Sequence, residues 1–265
     1  MLEEYDMKKS YKGMMAGVAL LSTITFSATA FAGTVTMNSD GPNTGKSALE
    51  IFKQYFGPSP VDGPTDSVHI RETTSASVGN VFNFHLNDSG DYDGDNTDRQ
   101  RVELKGYDKS PDNVVAKQNE TVTYKWLFRV MNDFGQSSFC HIFQIKAKNG
   151  TEEADPILTF TLDGNNLVFR HSPNGPLTTL AQTPKSNIVG KWVEATVKFK
   201  ASDSGSLSMT LKDVSSGNTL MSYSGTKDMW RSGADIVRPK WGIYRKITTG
   251  MPTADIQFAN FQIIK

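Results

Sequence analysis

From residue 67 onward the chain is written in short runs in which apolar and polar side chains alternate, each bounded by Gly, Asn, Asp, Ser or Pro. A period of two marks strands with one buried face and one wet face. In "TVTYKWLFRV" (121–130), Val122, Tyr124, Trp126, Phe128 and Val130 line one face, while Thr121, Thr123, Lys125, Leu127 and Arg129 line the other. "KWVEATVKFK" (191–200) sets Val193, Ala195, Val197 and Phe199 against Glu194, Thr196, Lys198 and Lys200. "LSMTLKD" (207–213) repeats the pattern with Leu207, Met209 and Leu211. "DGNN" (163–166) and "SSGN" (215–218) read as hairpin turns between such runs. Many half-buried strands predict an all-β fold of two packed antiparallel sheets, a β-jelly roll or concanavalin-like sandwich. No fixed-period repeat or low-complexity linker interrupts residues 33–265, which read as one domain.

A single helix precedes the strands. In "NTGKSALEIFKQYFG" (43–57), Ala48, Leu49, Ile51, Phe52, Tyr55 and Phe56 follow helical spacing, with Asn43 or Thr44 as the expected cap and Gly57 as the stop. Before it, "MKKSYKGMMAGVALLSTITFSATAFAG" joins basic residues, a short apolar run and Ala30-Phe31-Ala32. That order predicts a cleaved signal peptide over residues 1–32, starting at Met7, and export to the periplasm or beyond. The run is too short and too rich in Ser and Thr for a membrane span.

Lys plus Arg and Asp plus Glu number 28 each, so no global field draws in nucleic acid, and an acidic ligand must be held by a local cluster. A monomer is expected. The lone Cys140 has no partner for a disulfide and reads as a buried thiol; stability must come from a large core.

Four strands carry polar faces richer than hydration requires. In "DRQRVELKG" (98–106), Val102 and Leu104 point inward, opposite Arg99, Arg101, Glu103 and Lys105. In "CHIFQIKA" (140–147), strict alternation puts His141, Phe143 and Ile145 in the core, with His141 a hydrogen-bonded core histidine, and turns Gln144 and Lys146 the other way. "VFNFHLND" (81–88) exposes Asn83, His85 and Asn87. "RPKWGIYR" (238–245) sets Lys240, Gly242 and Tyr244 on one face and Trp241, Ile243 and Arg245 on the other.

Such a gathering suits β-elimination on a uronic-acid polymer. The C5 proton, alpha to a carboxylate, leaves only if that carboxylate is neutralised or hydrogen-bonded by Arg, Gln, Asn or His. A Tyr can take this proton and return one to the bridging O4. An unperturbed phenol titrates near about 10, so cations such as Lys240, Lys146 and Arg101 are needed to favour the phenolate. Gly242 would admit a sugar ring against the strand.

"R-V-E-L-K" (101–105), "Q-I-K" (144–146) and "K-W-G-I-Y" (240–244), in that order, resemble the three signature strands of β-jelly-roll polysaccharide lyases. Alginate lyases of that fold carry R-x-E-L-R, Q-I-H and K-x-G-x-Y. The longer stretches "DRQRVELK", "HIFQIK" and "KWGIYR" are more similar to glucuronan lyases and their heparin-lyase-like relatives. The resemblance implies that Tyr244 is the acid/base, that Gln144 binds the carboxylate and that Arg101 contacts substrate. Arg99, Glu103, Lys105, Lys146, Lys240 and Asn83 would complete the binding surface. Lys146 stands where alginate lyases place a catalytic histidine, so a histidine from another strand must serve, and His85 is expected to be that residue.

The stretch "NDSGDYDGDNTD" (87–98) offers Asp91, Asp93 and Asp95 as ligands for a structural calcium ion; related lyases hold one away from the groove, and the chemistry itself needs no cofactor. It lacks the EF-hand order of ligands, and a solvated turn is the competing reading. A non-catalytic carbohydrate-binding module would use the same sandwich, but with exposed aromatic platforms. A hydrolase would need two carboxylates across the scissile bond, and Glu103 is the only acid on the expected groove faces.

Overall fold

In a computed structural model, residues 33–135, 139–151 and 153–265 are described. The expected signal peptide lies outside them. The chain opens with β1 (Thr34–Met37), helix α1 (Ala48–Phe56), β2 (Val61–Asp62), β3 (Ile70–Ser75) and β4 (Gly79–Leu86). It continues through β5 (Tyr92–Asp93), β6 (Asn96–Lys105), β7 (Thr121–Val130), β8 (Cys140–Lys148), β9 (Pro156–Asp163) and β10 (Asn166–His171). It closes with β11 (Thr178–Pro184), β12 (Val193–Lys200), β13 (Gly205–Asp213), β14 (Thr219–Lys227), β15 (Ile236–Lys246) and β16 (Ala254–Ile264).

These strands make two antiparallel sheets of eight. The back sheet runs β14-β13-β12-β7-β16-β4-β3, with β1 beside β16; the front sheet runs β11-β10-β9-β8-β15-β6-β2, with β5 beside β6. The apolar faces read from alternation meet between them. Trp126 of the back sheet packs on Phe143 and Trp241 of the front sheet, with ring centroids 4.5 and 5.8 Å apart. This is the jelly-roll sandwich expected from the period-two runs. Both hairpin turns fall where the Asn/Gly clusters put them, with Asp163 opposite Asn166 and the β13–β14 turn at 214–218.

The helix covers the apolar run Ala48–Phe56 but is capped by Ser47, not by Asn43 or Thr44. Asn43 and Thr44 serve a turn instead: Asn43 has a φ of 61°, and the Thr44 hydroxyl donates to the carbonyls of Asp40 and Gly41. Ser47 Oγ accepts from the Glu50 amide, and Glu50 Oε2 accepts from the Ser47 amide at 2.8 Å. This S-x-x-E box satisfies two orphan donors. Nine residues are too few for an isolated helix to persist in water. Packing supplies the difference: Phe52 stacks on Phe84 and tilts against Phe82, and Phe56 meets Trp241 edge-on. Each buried Phe contributes roughly 1.5–3 kcal/mol. Cys140 is buried, and burial pushes its thiol up to about 12, so it stays protonated.

Candidate active site

The outward face of the front sheet is shaped by two irregularities in neighbouring strands. Lys240 and Tyr244 of β15 stand four residues apart, opposite Gln144 and His141 of β8, three apart. Those two stand opposite Thr159 and Thr161 of β9, two apart. Each strand thus carries one residue more than its neighbour, the signature of successive β-bulges. The extra residue in β8 reverses its alternation: Ile142 and Phe143 are both buried, and His141 comes onto the same face as Gln144 and Lys146. His141 is buried and hydrogen-bonded as expected, but it lines the groove instead of the core between the sheets. The extra residue in β15 falls at Gly242, whose φ is 148°. A Cβ there would collide with the Val102 carbonyl and the Glu103 Cα of β6. Gly242 therefore serves strand approach, not entry of a sugar.

A groove of about 410 Å³ lies over this region, lined among others by Arg99, Arg101, Phe139, His141, Gln144, Lys146, Arg170 and Tyr244. Arg99 Nη1 donates to Tyr244 Oη at 3.1 Å, and the Arg101 guanidinium sits 3.9 Å from the centroid of the Tyr244 ring. Phe139 stacks on His141 at 5.2 Å and tilts against Tyr244 at 5.2 Å. The His141 and Tyr244 rings are 6.1 Å apart, so two proton-transfer groups share one patch. Burial pushes His141 down to about 4, with Glu103 opposing and Arg170, Lys146 and Arg101 reinforcing. The ring is neutral near neutral pH. Burial also holds Lys146 down to about 8, reinforced by Lys240. Its Nζ donates to the Ala154 carbonyl at 2.7 Å and forms no ion pair among the described residues.

Beneath this surface runs a buried charge network. Glu103 is fully buried and accepts from Gln144 Nε2 at 2.5 Å and from Lys240 Nζ at 2.8 Å. Burial would raise its carboxyl, but Lys240 and Arg101 outweigh that and hold it ionised below its usual range. Asp62 of β2 pairs with Lys240 at 2.7 Å and with Lys105. Arg101 Nη1 pairs with Asp93 at 3.1 Å; its Nε lies 3.3 Å from Glu103 without hydrogen-bond geometry. Glu103 and Lys240 thus brace the floor from below, and Lys105 stands on the same face tied to Asp62; none of the three lines the groove.

His85 and Asn83 fall elsewhere. Both lie on β4 of the back sheet, where His85 Nδ1 is 3.1 Å from Asp255 Oδ2 and Asn83 Nδ2 donates to Asp255 Oδ1 at 2.9 Å. The expectation that His85 serves the groove is overturned by that position: its ring is engaged by Asp255 on the back sheet and does not line the groove. The three aspartates do not converge either. Asp91 accepts from the Asn87 amide and contacts His69 Nε2 at 2.9 Å, Asp93 serves Arg101, and Asp95 is exposed. Among the described residues no group of three or more His, Cys, Asp or Glu side chains is arranged for a metal. The carboxylates do not fit a calcium site as they stand.

Arg170 of β10, Asp155 and Phe139 also line the groove and escaped the sequence reading. Among the described residues Asp155 is the only carboxylate along its walls. Hydrolysis by paired carboxylates has no second acid there among the described residues, whereas elimination asks for cations, an amide and groups that pass a proton. Fold and groove together define a carbohydrate-active enzyme of the lyase class.

The family comparison makes that particular. The polysaccharide lyase family model matches residues 32–261, and the chain belongs to that family. No curated protein matches the sequence. Among solved structures, an alginate lyase of family PL-14 from Aplysia kurodai is 13% identical, covering 86% of this chain and 97% of that one, with a TM-score of 0.56. The alginate lyase from Klebsiella pneumoniae is 16% identical over 72% of this chain and 83% of its own, with a TM-score of 0.53. Alginate lyase Aly36B is 12% identical over 88% and 96%, with a TM-score of 0.58. At such identities the likeness is one of fold. No helix among the described residues is long and apolar enough to cross a membrane.

Proposed function

We propose that this protein cleaves a glucuronan-like polyuronate by β-elimination, with His141 as base and Tyr244 as acid. The observation that carries this reading is the shared patch of a neutral imidazole and a phenol 6.1 Å apart, flanked by Arg99 and Arg101. Gln144 and Arg101 hold the C5 carboxylate, so that charge moving onto it in the transition state meets fixed donors. His141 takes the C5 proton as the C5–H electron pair becomes the C4=C5 double bond. The C4–O4 bond breaks with its pair on O4, and O4 takes the Tyr244 proton. Arg99 at Oη then holds the phenolate until water carries the proton from His141 back to it. Lys146 and Arg170 receive carboxylates of neighbouring sugars.

Glucuronan is favoured by the stretches "DRQRVELK", "HIFQIK" and "KWGIYR" and by Lys146 where alginate lyases carry histidine. Alginate is the second reading, supported by the fold shared with solved alginate lyases. Each polymer is incubated with enzyme and followed by the ultraviolet absorbance of the new double bond. Glucuronan is expected to give the higher kcat/KM; greater turnover of alginate would reverse the assignment, and reducing ends without absorbance would sink elimination. Tyr244→Phe and His141→Ala should each lose at least about a hundredfold in kcat, the usual share of a general acid or base. His85→Ala should keep full turnover.

A further inference from the structure

We infer that a buried pair of threonine hydroxyls, Thr161 and Thr159 on β9, fixes the tautomer of His141 and thereby leaves Nε2 bare to accept the substrate proton. The inference rests on His141 being the base and adds two positioning residues that never touch substrate. His141 Nδ1 lies 2.8 Å from Thr161 Oγ1, and the Thr161 hydroxyl donates to Thr159 Oγ1, also at 2.8 Å. A hydroxyl has one proton to give. Since Thr161 spends it on Thr159, it can only accept from the ring, so Nδ1 carries the imidazole hydrogen. In a neutral ring the other nitrogen is then an acceptor. Among the described residues nothing hydrogen-bonds Nε2, and the ring lines the groove.

Both threonines are fully buried, so water does not compete for these contacts. Their placement follows from the bulges: residues two apart on β9 point to one face, and the extra residue in β8 brings His141 opposite Thr161 while Gln144 lies opposite Thr159. Without it, the face of β8 that meets Thr161 would present an apolar side chain. Among the described residues the charged and titratable groups around the ring are Arg99, Arg101 and Glu103 of β6, Lys146 of β8, Asp155, Arg170 of β10 and Tyr244 of β15. None of them hydrogen-bonds Nδ1; the direction of the threonine relay decides which nitrogen is protonated.

The relay makes a prediction that packing alone does not. Thr159→Val removes the acceptor of the Thr161 proton while leaving Thr161 and His141 in place. Thr161 then turns its proton to Nδ1, and the ring switches to the Nε2–H form, which cannot take a proton. The resting enzyme, with 15N-labelled histidine, is read by the ring nitrogen shifts; the four histidines of the chain are sorted by loss of one signal set in His141→Gln. The wild type should show Nδ1–H, Thr159→Val should show Nε2–H, and Thr161→Ser should keep Nδ1–H. Turnover should fall by roughly tenfold or more in Thr159→Val, at least the scale of one hydrogen bond, with KM little changed, and Thr161→Ser should stay near wild type. An Nε2–H ring in the wild type overturns the inference, as does Thr159→Val that leaves the tautomer unmoved or that moves it without slowing kcat. The two readings fail separately: full turnover by His141→Ala would remove the base, whereas the ring shifts, taken without substrate, would still report which nitrogen Thr161 engages.

Discussion

Gly242 decides where Tyr244 stands. Its φ of 148° and the collision a Cβ would make with the β6 backbone leave no relaxed place for a side chain. Gly242→Ala should destabilise the fold by about 1–3 kcal/mol from backbone strain alone, read as a lower urea midpoint. The same shift should slow kcat, since Tyr244 is two residues on. A variant with wild-type stability would mean that β15 has another way past β6. Lys146 offers a test by pH. The folded chain releases its proton at about 8, the unfolded chain near about 10.4. Between those values the unfolded state binds more protons, so stability rises with pH across that window, and Lys146→Met should abolish the rise. Substrate binding runs the opposite way: as the ammonium discharges above about 8, KM should climb, and in Lys146→Met it should be high and flat. His141 is likewise depressed, to about 4 against about 6.5 unfolded, so its contribution is complete above about 6.5 and lost as pH falls towards 4.

Among the elements, legibility followed regularity. β7 and β12 alternate without interruption, and every face read from them is the face observed. β8 is bulged, and a bulge inverts the parity of all residues beyond it. The adjacent apolar pair Ile142-Phe143, set between His141 and Gln144, is the local mark of that break. His85 failed for a different reason. Alternation says which residues of a strand face outward, but both sheets of a sandwich have an outward face, and only pairing decides which sheet a strand joins. The motif strands β6, β8 and β15 were brought together because they are neighbours in one sheet; β4 has polar residues of the same kinds on the other. The helix start was legible in S-x-x-E rather than in the preceding Asn-Thr. Ser47→Ala should cost about 1 kcal/mol of stability, measured by denaturant unfolding, with turnover untouched because α1 packs on core residues Phe82, Phe84 and Trp241 and does not line the groove. Loss of kcat at unchanged protein concentration would mean that α1 reaches the groove through Trp241.

At the scale of the whole molecule, equal numbers of acidic and basic residues mean that a polyanion is not gathered by net charge. Attraction must come from the cations that line the groove, Arg99, Arg101, Lys146 and Arg170, which among the described residues face one carboxylate, Asp155. Such a field is short-ranged: screening shortens it from about 10 Å at 0.1 M salt to about 3 Å at 1 M. KM should therefore rise severalfold over that range, while kcat, set by groups already in contact with the sugar, should change little. Removing groove charge should flatten the dependence. Arg170, which also pairs with Asp163, is the choice because it takes no part in the proposed proton transfers. Arg170→Gln is expected to raise KM at low salt and to reduce its salt slope. Lys125→Gln, on the back sheet and paired with Glu194, removes the same unit of net charge and should leave the slope as it was. Equal effects from the two variants would show that the polymer senses the whole surface, and a groove-confined field would be refuted.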